Sequence, residues 1–419
     1  MRERRRHARQ LDDLDERADA EPEASREPRR GRGPDHRDQH DDERGVQRIA
    51  RRAAEGGGQH GPSGEPGEHD QSREQDQHGS GTHQATLAAG PYGGAVTPHP
   101  TPLRTTTHGD VEAFALRVAS ALGLGDGEAV ALAGGNQNHV VRVRAAGADV
   151  VVRFTRDAGR LGEDPFDVEA WCAPAAAAAG IRTAPVVART HVDGVSVLVV
   201  AHVAGAPTAA DDLAGWRAVG AAAARLAEVG TDDAPDGLFS RFGRDLDAAW
   251  DEHLVYNLDA LGPNDALPGL GVYDVRDRSR LRDVVASVRD RRLAQGLAHG
   301  DLCHRNLVTA SDGGYVILDW GSAQVGPTPW TDLELVHRWH VTGDAETPVS
   351  AAAWDEVLAA TIERTAVPPD EAARIVGSLA VLHALDVVRW ALDRRPDRLA
   401  ELAASSAATL RRELPTLAG

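Results

Sequence analysis

Three polar side chains in the segment 297–321, LAHGDLCHRNLVTASDGGYVILDWG, have a spacing suited to phosphoryl-transfer chemistry. Asp301 lies five residues before Asn306, and Asn306 lies thirteen residues before Asp319. Such chemistry needs a group that orients or deprotonates an attacking hydroxyl, and ligands that hold Mg²⁺ on the phosphates. Carboxylate and amide oxygens are the hard ligands that Mg²⁺ prefers. The pattern makes Asp301 a candidate for the hydroxyl, and Asn306 and Asp319 candidates for the metal.

Each of these residues alone is weak evidence, because Asp and Asn are favoured in ordinary turns. The sequence between Asn306 and Asp319 adds weight to the pattern. Its SDGG tetrapeptide, residues 311–314, is a turn signal between two apolar runs and predicts a β-hairpin. That hairpin would fold Asp319 back beside the loop that carries Asp301.

The first folded segment is predicted to be rich in strands. Apolar residues at helical spacing follow Asp110, which we expect to cap a helix. A second helix is expected with Asp164 as its N-cap, Pro165 at its first position and Gly180 as its stop. Valine-rich runs predict strands over residues 129–133, 139–144, 148–154, 184–190 and 195–203.

The rest of the chain has helical periodicity apart from the hairpin. Helices are predicted over 211–229, 244–260, 278–294, 331–341 and 351–415. We therefore predict an α+β, bilobal fold, with a small antiparallel N-lobe that contains one helix and a larger, mainly helical C-lobe. The expected boundaries are 105–204 for the N-lobe and 205–419 for the C-lobe.

Composition limits the partners and the compartment. The chain has 46 basic and 64 acidic residues, a net charge of −18, and no lysine, so we expect neither a nucleic-acid nor a membrane partner. No run of about twenty apolar residues predicts a membrane span. Cys172 and Cys303 are too few for a disulfide framework, so we expect two buried free thiols and a cytoplasmic location.

Residues 1–104 are rich in charged residues, Gly and Pro, with scattered histidines and few large apolar side chains. Such a segment cannot bury enough apolar surface to offset its ordering entropy. We expect a disordered tail, with the alternative that translation starts near residue 105.

The catalytic segment, together with several upstream pieces in the same order, resembles the aminoglycoside phosphotransferase-like kinases, which share the bilobal protein-kinase-like fold. The matching stretches are GGNQNHVVRV (134–143), VVVRF (150–154), DVEAWCAPAAAAAGI (167–181), VLVVAHVAGAP (197–207) and VGPTPWTDLEL (325–335). The resemblance covers about residues 110–340. It implies an enzyme that uses ATP and Mg²⁺ to phosphorylate a hydroxyl group of a small molecule.

The resemblance also implies residue roles. Gly134, Gly135 and Asn138 match the nucleotide loop, while Arg153 and Glu169 match the phosphate-contacting cation and its glutamate partner. Backbone groups at Ala201 and Val203 match the hinge that reads adenine. Asp332 matches a structural aspartate. His299, from its position before Gly-Asp, could act as a base, but we expect it to be a hydrogen-bonded anchor of the catalytic loop. Arg153 stands where relatives commonly have lysine, and an arginine keeps the charge but is bulkier and forked.

The acceptor is left open at this level. The acidic balance suits a cationic acceptor such as an aminosugar antibiotic, but it also serves plain solubility. A macrolide, choline, homoserine or sugar kinase would share the same loop, and a catalytically silent nucleotide-binding pseudokinase is the non-enzyme alternative. A Walker P-loop is excluded because it needs a lysine.

Overall fold

The computed structural model describes residues 108–132, 138–155 and 165–417. The predicted tail over 1–104 lies outside these residues, as do Gly134, Gly135 and Asp164.

The N-lobe is built on a five-stranded antiparallel sheet. Its strands are β1 (Gly127–Ala131), β2 (Asn138–Ala145), β3 (Ala148–Thr155), β4 (Val186–Val192) and β5 (Val195–Ala201), in the order β1-β2-β3-β5-β4. β3 is central and pairs Arg153 with Val140 on one side and Leu198 on the other. Helix α1 (His108–Ala121) packs Phe114 and Val118 against buried valines of the sheet. Alternation of valines along the strands produces this apolar face.

Helix α2 (Asp167–Ala178) lies between β3 and β4 in the chain. The predicted cap was placed too early: the residue before the helix is Phe166, and Pro165 precedes it instead of opening the helix. The predicted stop is confirmed, because Gly180 has φ +80° directly after the C-cap residue Ala179. Asp110 likewise lies in the first turn of α1 and not before it.

The C-lobe is mainly helical. Its helices are α3 (Leu213–Leu226), α4 (Leu246–Ala260), α5 (Arg278–Arg291), α6 (Trp330–Thr342), α7 (Ala351–Thr365), α8 (Pro369–Arg394) and α9 (Leu399–Thr416). The segment 351–415, predicted as one helical region, is therefore three helices. Asp212 caps α3 by accepting hydrogen bonds from the N–H groups of Ala214 and Gly215, each at 3.1 Å.

Two small sheets complete the C-lobe. The predicted hairpin is confirmed as β8 (Leu307–Ala310) and β9 (Tyr315–Ile317), and the short strand β6 (Gly205–Pro207) pairs with β8. β7 (Gln295–Ala298) and β10 (Gln324–Pro327) form an antiparallel ribbon that the sequence patterns did not predict. The chain thus has the predicted α+β fold, with an antiparallel-sheet lobe and a helical lobe.

Helix α8 is the central helix of the C-lobe core. It is long and apolar enough, by length and composition alone, to cross a membrane. However, 78% of its most apolar window is buried inside the protein, against helices such as α6, α7 and α9. This burial is what a core helix shows, so the composition of α8 is weak evidence for a membrane span.

Candidate active site

Arg153 joins the two lobes through two carboxylates. One guanidinium nitrogen donates to Oε1 of Glu169 on α2, and the other donates to Oδ1 of Asp319 at 3.0 Å. The side chains of Arg153 and Glu169 are 13% and 6% exposed, whereas that of Asp319 is 33% exposed. Arg153 therefore contacts both carboxylates while its own side chain stays largely buried.

Burial and the neighbouring negative charges shift the pKa of Arg153 in opposite directions. Burial lowers the pKa of Arg153, but the negative charges of Glu169 and Asp319 outweigh it and raise the pKa above its ordinary value. Arg153 is thus a permanent cation. The planar guanidinium donates to the two carboxylates through two different nitrogens in a fixed geometry.

The loop that carries Asp301 is fixed by its backbone. Gly300 has φ +77°, and a Cβ there would lie 2.0 Å from the carbonyl oxygen of Ser322, so only glycine fits. Asp332 accepts from the N–H groups of His299 at 2.9 Å and Gly300 at 2.8 Å. Asp332 thus ties helix α6 to the two residues that precede Asp301.

His299 is fully buried and bonded at both ring nitrogens. Nε2 donates to the carbonyl oxygen of Leu318 at 3.0 Å, which leaves Nδ1 to accept from the N–H of Asp301 at 3.2 Å. The ring also lies 4.6 Å, centroid to centroid, from that of Trp320. With both nitrogens engaged by backbone groups, His299 is a bridge between the Asp301 loop and the Asp319 segment.

Asn306 lies against Asp301 as the spacing predicts. Its Nδ2 donates to the backbone oxygen of Asp301 at 2.8 Å and to Oδ2 of the same residue at 2.6 Å. Its own backbone oxygen accepts from the N–H of Leu318 at 2.8 Å, immediately before Asp319. The hairpin therefore brings the three predicted residues together.

The donor set fits Mg²⁺. Because the amide nitrogen of Asn306 faces Asp301, its Oδ1 is the atom that can bind a cation, and Asp319 adds a partly exposed carboxylate. The described residues include no cluster of three or more His, Cys, Asp or Glu side chains able to hold a metal. Two protein oxygens suit Mg²⁺, which is usually held by one or two protein groups together with phosphates and waters.

The structure places three of the predicted nucleotide residues in the N-lobe sheet or directly after it. Asn138 begins β2 and pairs with Thr155, two residues beyond Arg153. Ala201 ends β5, and its N–H donates to the carbonyl oxygen of Pro185 at 2.8 Å. Val203 follows outside the strand, before β6. The N–H of Ala201 is thus committed to the sheet, whereas Val203 lies in the connection between the lobes.

Arg305 is a site residue that the sequence reasoning missed. Its guanidinium lies 3.7 Å from Oδ1 of Asp301 and 3.6 Å from Oε2 of Glu346, and its side chain is 32% exposed. The available signal was its position next to Asn306 in a chain without lysine, where each fixed side-chain cation is an arginine.

Asp332 gives the loop a measurable pH signature. Burial raises the pKa of Asp332 from 3.8 to about 6, although the N–H groups of His299 and Gly300 oppose the shift. At Asp332 the folded protein therefore binds more protons than the unfolded chain between about pH 4 and 6. This residue's contribution to the free energy of unfolding falls as pH rises through that window. We expect Asp332→Asn to flatten this part of the profile of unfolding free energy against pH, measured by urea denaturation. If the unfolding free energy of the variant depended on pH between 4 and 6 as steeply as that of wild type, Asp332 would not be the source of this pH dependence.

Comparison of the sequence with protein-family models identifies the family of the chain. The model of the phosphotransferase enzyme family matches residues 128–364, more than half of the chain, and the chain belongs to this family. The protein is therefore a phosphotransferase by family, as the sequence resemblance predicted. No curated protein sequence matches the chain.

Solved structures that resemble the chain include a macrolide phosphotransferase and an aminoglycoside phosphotransferase. The macrolide 2'-phosphotransferase MphH from Brachybacterium faecium is 21% identical, with a TM-score of 0.47 over 72% of this chain and 97% of that one. A thermostable mutant of the aminoglycoside phosphotransferase APH(4)-Ia, in ternary complex with AMP-PNP and hygromycin B, is 15% identical, with a TM-score of 0.46 over 70% of this chain and 95% of that one.

Proposed function

We propose that the protein is an ATP- and Mg²⁺-dependent O-phosphotransferase that acts on a hydroxyl group of a small molecule. The observation that supports this most is the connected set of Glu169, Arg153, Asp319, Asn306 and Asp301. Arg153 donates hydrogen bonds to Glu169 and Asp319, and Asn306 donates to Asp301. The hairpin connects these two groups, because Leu318, next to Asp319, donates its N–H to the backbone oxygen of Asn306.

The reaction transfers one phosphoryl group. The acceptor oxygen forms a bond to the γ-phosphorus as the bond from that phosphorus to the β,γ-bridging oxygen breaks, and ADP leaves. Asp301 orients the acceptor hydroxyl and receives its proton late, because a loose transition state requires little nucleophile activation early. The 3% exposure of Asp301 keeps competing water away from its carboxylate.

Positive charge at the site comes from arginine and the metal. Asn306 and Asp319 would hold Mg²⁺, which neutralises charge on the phosphate oxygens when bound. Arg153 binds phosphate oxygens and is positioned by Glu169. The guanidinium of Arg305 lies 3.7 Å from Oδ1 of Asp301 and offers a second cation near the transferring group.

Arg305→Gln is expected to lower kcat roughly ten- to a hundredfold, the equivalent of one charge-assisted contact of about 1.5–3 kcal/mol. Arg305→Lys should keep part of the rate because it keeps the charge. Steady-state kinetics of ADP release would measure both. Arg182→Gln is the control, because Arg182 pairs with Asp312 on the exposed turn of the hairpin. Equal rates in Arg305→Gln and wild type would remove Arg305 from the site.

The proposed function can be tested with purified protein, ATP and Mg²⁺. The candidate acceptors are hydroxylated aminosugars, macrolides, amino alcohols and sugars. Acceptor-dependent ADP release is the expected result. Nucleotide binding without transfer to any acceptor would favour a pseudokinase. The cytoplasm, where ATP is available, is the proposed location.

A further inference from the structure

The guanidinium of Arg305 lies between two carboxylates. Its Nη2 atom is 3.7 Å from Oδ1 of Asp301, and its Nη1 atom is 3.6 Å from Oε2 of Glu346. Both distances are within ion-pair range but longer than an N–H···O hydrogen bond, which measures about 2.7–3.2 Å. Arg291, by comparison, donates to Glu371 at 2.9 Å. Arg305 is therefore attracted by both carboxylates without closing onto either of them.

Glu346 lies in the loop that joins α6 to α7, and this loop has a fixed backbone. It begins at Gly343, whose φ of +66° ends α6. Asp344 then accepts hydrogen bonds from the N–H of Glu346 at 2.9 Å and from that of Thr347 at 2.7 Å. Thr347 is buried, so the chain is anchored directly after Glu346. The carboxylate that meets Arg305 is thus presented by a well-supported loop.

The two carboxylates do not attract Arg305 equally. The side chain of Asp301 is 4% exposed, whereas that of Glu346 is 42% exposed. Coulomb attraction is stronger where water is excluded, so at equal distance Asp301 draws the guanidinium more strongly than Glu346 does. Glu346 therefore acts against the formation of a closed ion pair between Arg305 and Asp301.

A closed ion pair would obstruct the proposed chemistry in two ways. Because Oδ2 of Asp301 already accepts from Asn306 at 2.6 Å, Arg305 would donate to Oδ1. The carboxylate would then accept the proton of the hydroxyl less readily, since hydrogen bonds favour its charged form. The N–H donors of Arg305 would also be withdrawn from the transferring phosphoryl group.

We propose that Glu346 is a positioning residue that holds the guanidinium of Arg305 away from Asp301. In this position the N–H groups of Arg305 are directed to the transferring phosphoryl group, and Arg305 does not compete with the acceptor hydroxyl for Oδ1 of Asp301. The inference rests on the proposed function, which gives Arg305 and Asp301 their roles. It adds to the site a residue from outside the catalytic segment.

A double-mutant cycle in the full chain tests whether Glu346 acts through Arg305. The readout is the steady-state rate of ADP release with an acceptor from the panel of aminosugars, macrolides, amino alcohols and sugars. We expect Glu346→Gln to lower kcat about fivefold in the wild-type background, the upper range for a partly exposed ion pair. In the Arg305→Gln background the same change should alter kcat less than about twofold, because the cation that Glu346 positions is absent.

Two further variants separate positioning from a general effect of removing a charge. Glu346→Asp keeps the carboxylate, so it should retain about half or more of the wild-type kcat. Glu356→Gln is the matched control, because Glu356 is similarly exposed on α7 but pairs with Arg217, at 3.2 Å. Its kcat should equal that of wild type.

Nucleotide binding gives a readout that needs no acceptor. Calorimetric titrations with ADP and with the non-hydrolysable analogue AMP-PNP, each with Mg²⁺, report contacts to the γ-phosphate as the ratio of the two affinities. Glu346→Gln should lower the affinity for AMP-PNP about threefold relative to that for ADP. This loss should be absent when the change is made in the Arg305→Gln background.

The proposal would be overturned by an equal loss of kcat with and without Arg305, by a wild-type kcat in Glu346→Gln, or by an unchanged ratio of nucleotide affinities. A raised KM for the acceptor with an unchanged kcat would place Glu346 at the acceptor and would also overturn it. If wild type phosphorylates no acceptor, the proposed function fails. The ratio of nucleotide affinities then supports or overturns the positioning of Arg305 by Glu346 on its own.

Discussion

Asp301→Asn is expected to lower kcat by about 10²–10⁴-fold, the usual contribution of a positioned acid–base group. Asparagine keeps the size of the side chain and one oxygen that can accept from Asn306, but it cannot accept the proton of the hydroxyl. Because the proposed role of Asp301 is at the acceptor and not at the nucleotide, the Kd for ATP should stay nearly unchanged. Steady-state kinetics and nucleotide titration of the same preparation measure the two effects separately.

Asp290→Asn is a matched control for that prediction. Asp290 is exposed at the end of α5, so its replacement should leave both kcat and nucleotide affinity at wild-type values. A wild-type rate in Asp301→Asn would show that the loop assignment is wrong. A loss of ATP binding in Asp301→Asn would show that the residue acts on the nucleotide site instead.

Arg153→Met is expected to destabilise the fold by about 3–5 kcal/mol and to abolish detectable ATP binding. The change leaves Glu169 buried without its cation, and removing one partner of a buried ion pair costs this much. Urea denaturation measures the stability, and titration with ATP and Mg²⁺ measures binding. Arg189→Met is the control. Arg189 on β4 pairs with Asp167, which lies on α2 like Glu169 but at an exposed position. Exposed pairs of this kind contribute about 0–1 kcal/mol to stability.

The double variant Arg153→Met with Glu169→Met separates stability from function. Replacing both members of a buried ion pair by apolar groups is often neutral, so most of the stability should return. ATP binding should remain lost, because the cation that we propose for the phosphates is still absent. Recovery of ATP binding in the double variant would contradict the role given to Arg153.

The hairpin that unites the site could be read from the sequence because its signals are local. SDGG between two apolar runs specifies a turn, and the turn fixes where Asp319 lies relative to Asn306. The antiparallel sheet was equally predictable, since alternating valines show which face of each strand is buried. The proximity of Asp301, Asn306 and Asp319 could therefore be predicted from local sequence signals.

Other features depend on contacts between distant segments. Strands β7 and β10 have four residues each, too few for a period to show, and they exist because they pair with one another. The start of α2 was misplaced because Asp164 and Pro165 form a strong local start signal, whereas the helix begins at Asp167 with Phe166 at the cap position. The Asp386 to His253 pair joins α4 to α8, and no spacing in the sequence connects those helices.

The central claim is that this chain moves a phosphoryl group from ATP to a small-molecule hydroxyl. The most direct measurement incubates wild type and Asp301→Asn with ATP, Mg²⁺ and a panel of hydroxylated aminosugars, macrolides, amino alcohols and sugars, and detects phosphorylated acceptor by mass spectrometry. We predict an acceptor that gains one phosphoryl group with wild type and gains almost none with Asp301→Asn. Bound ATP without a phosphorylated product across the panel, or equal product from both proteins, would contradict the claim.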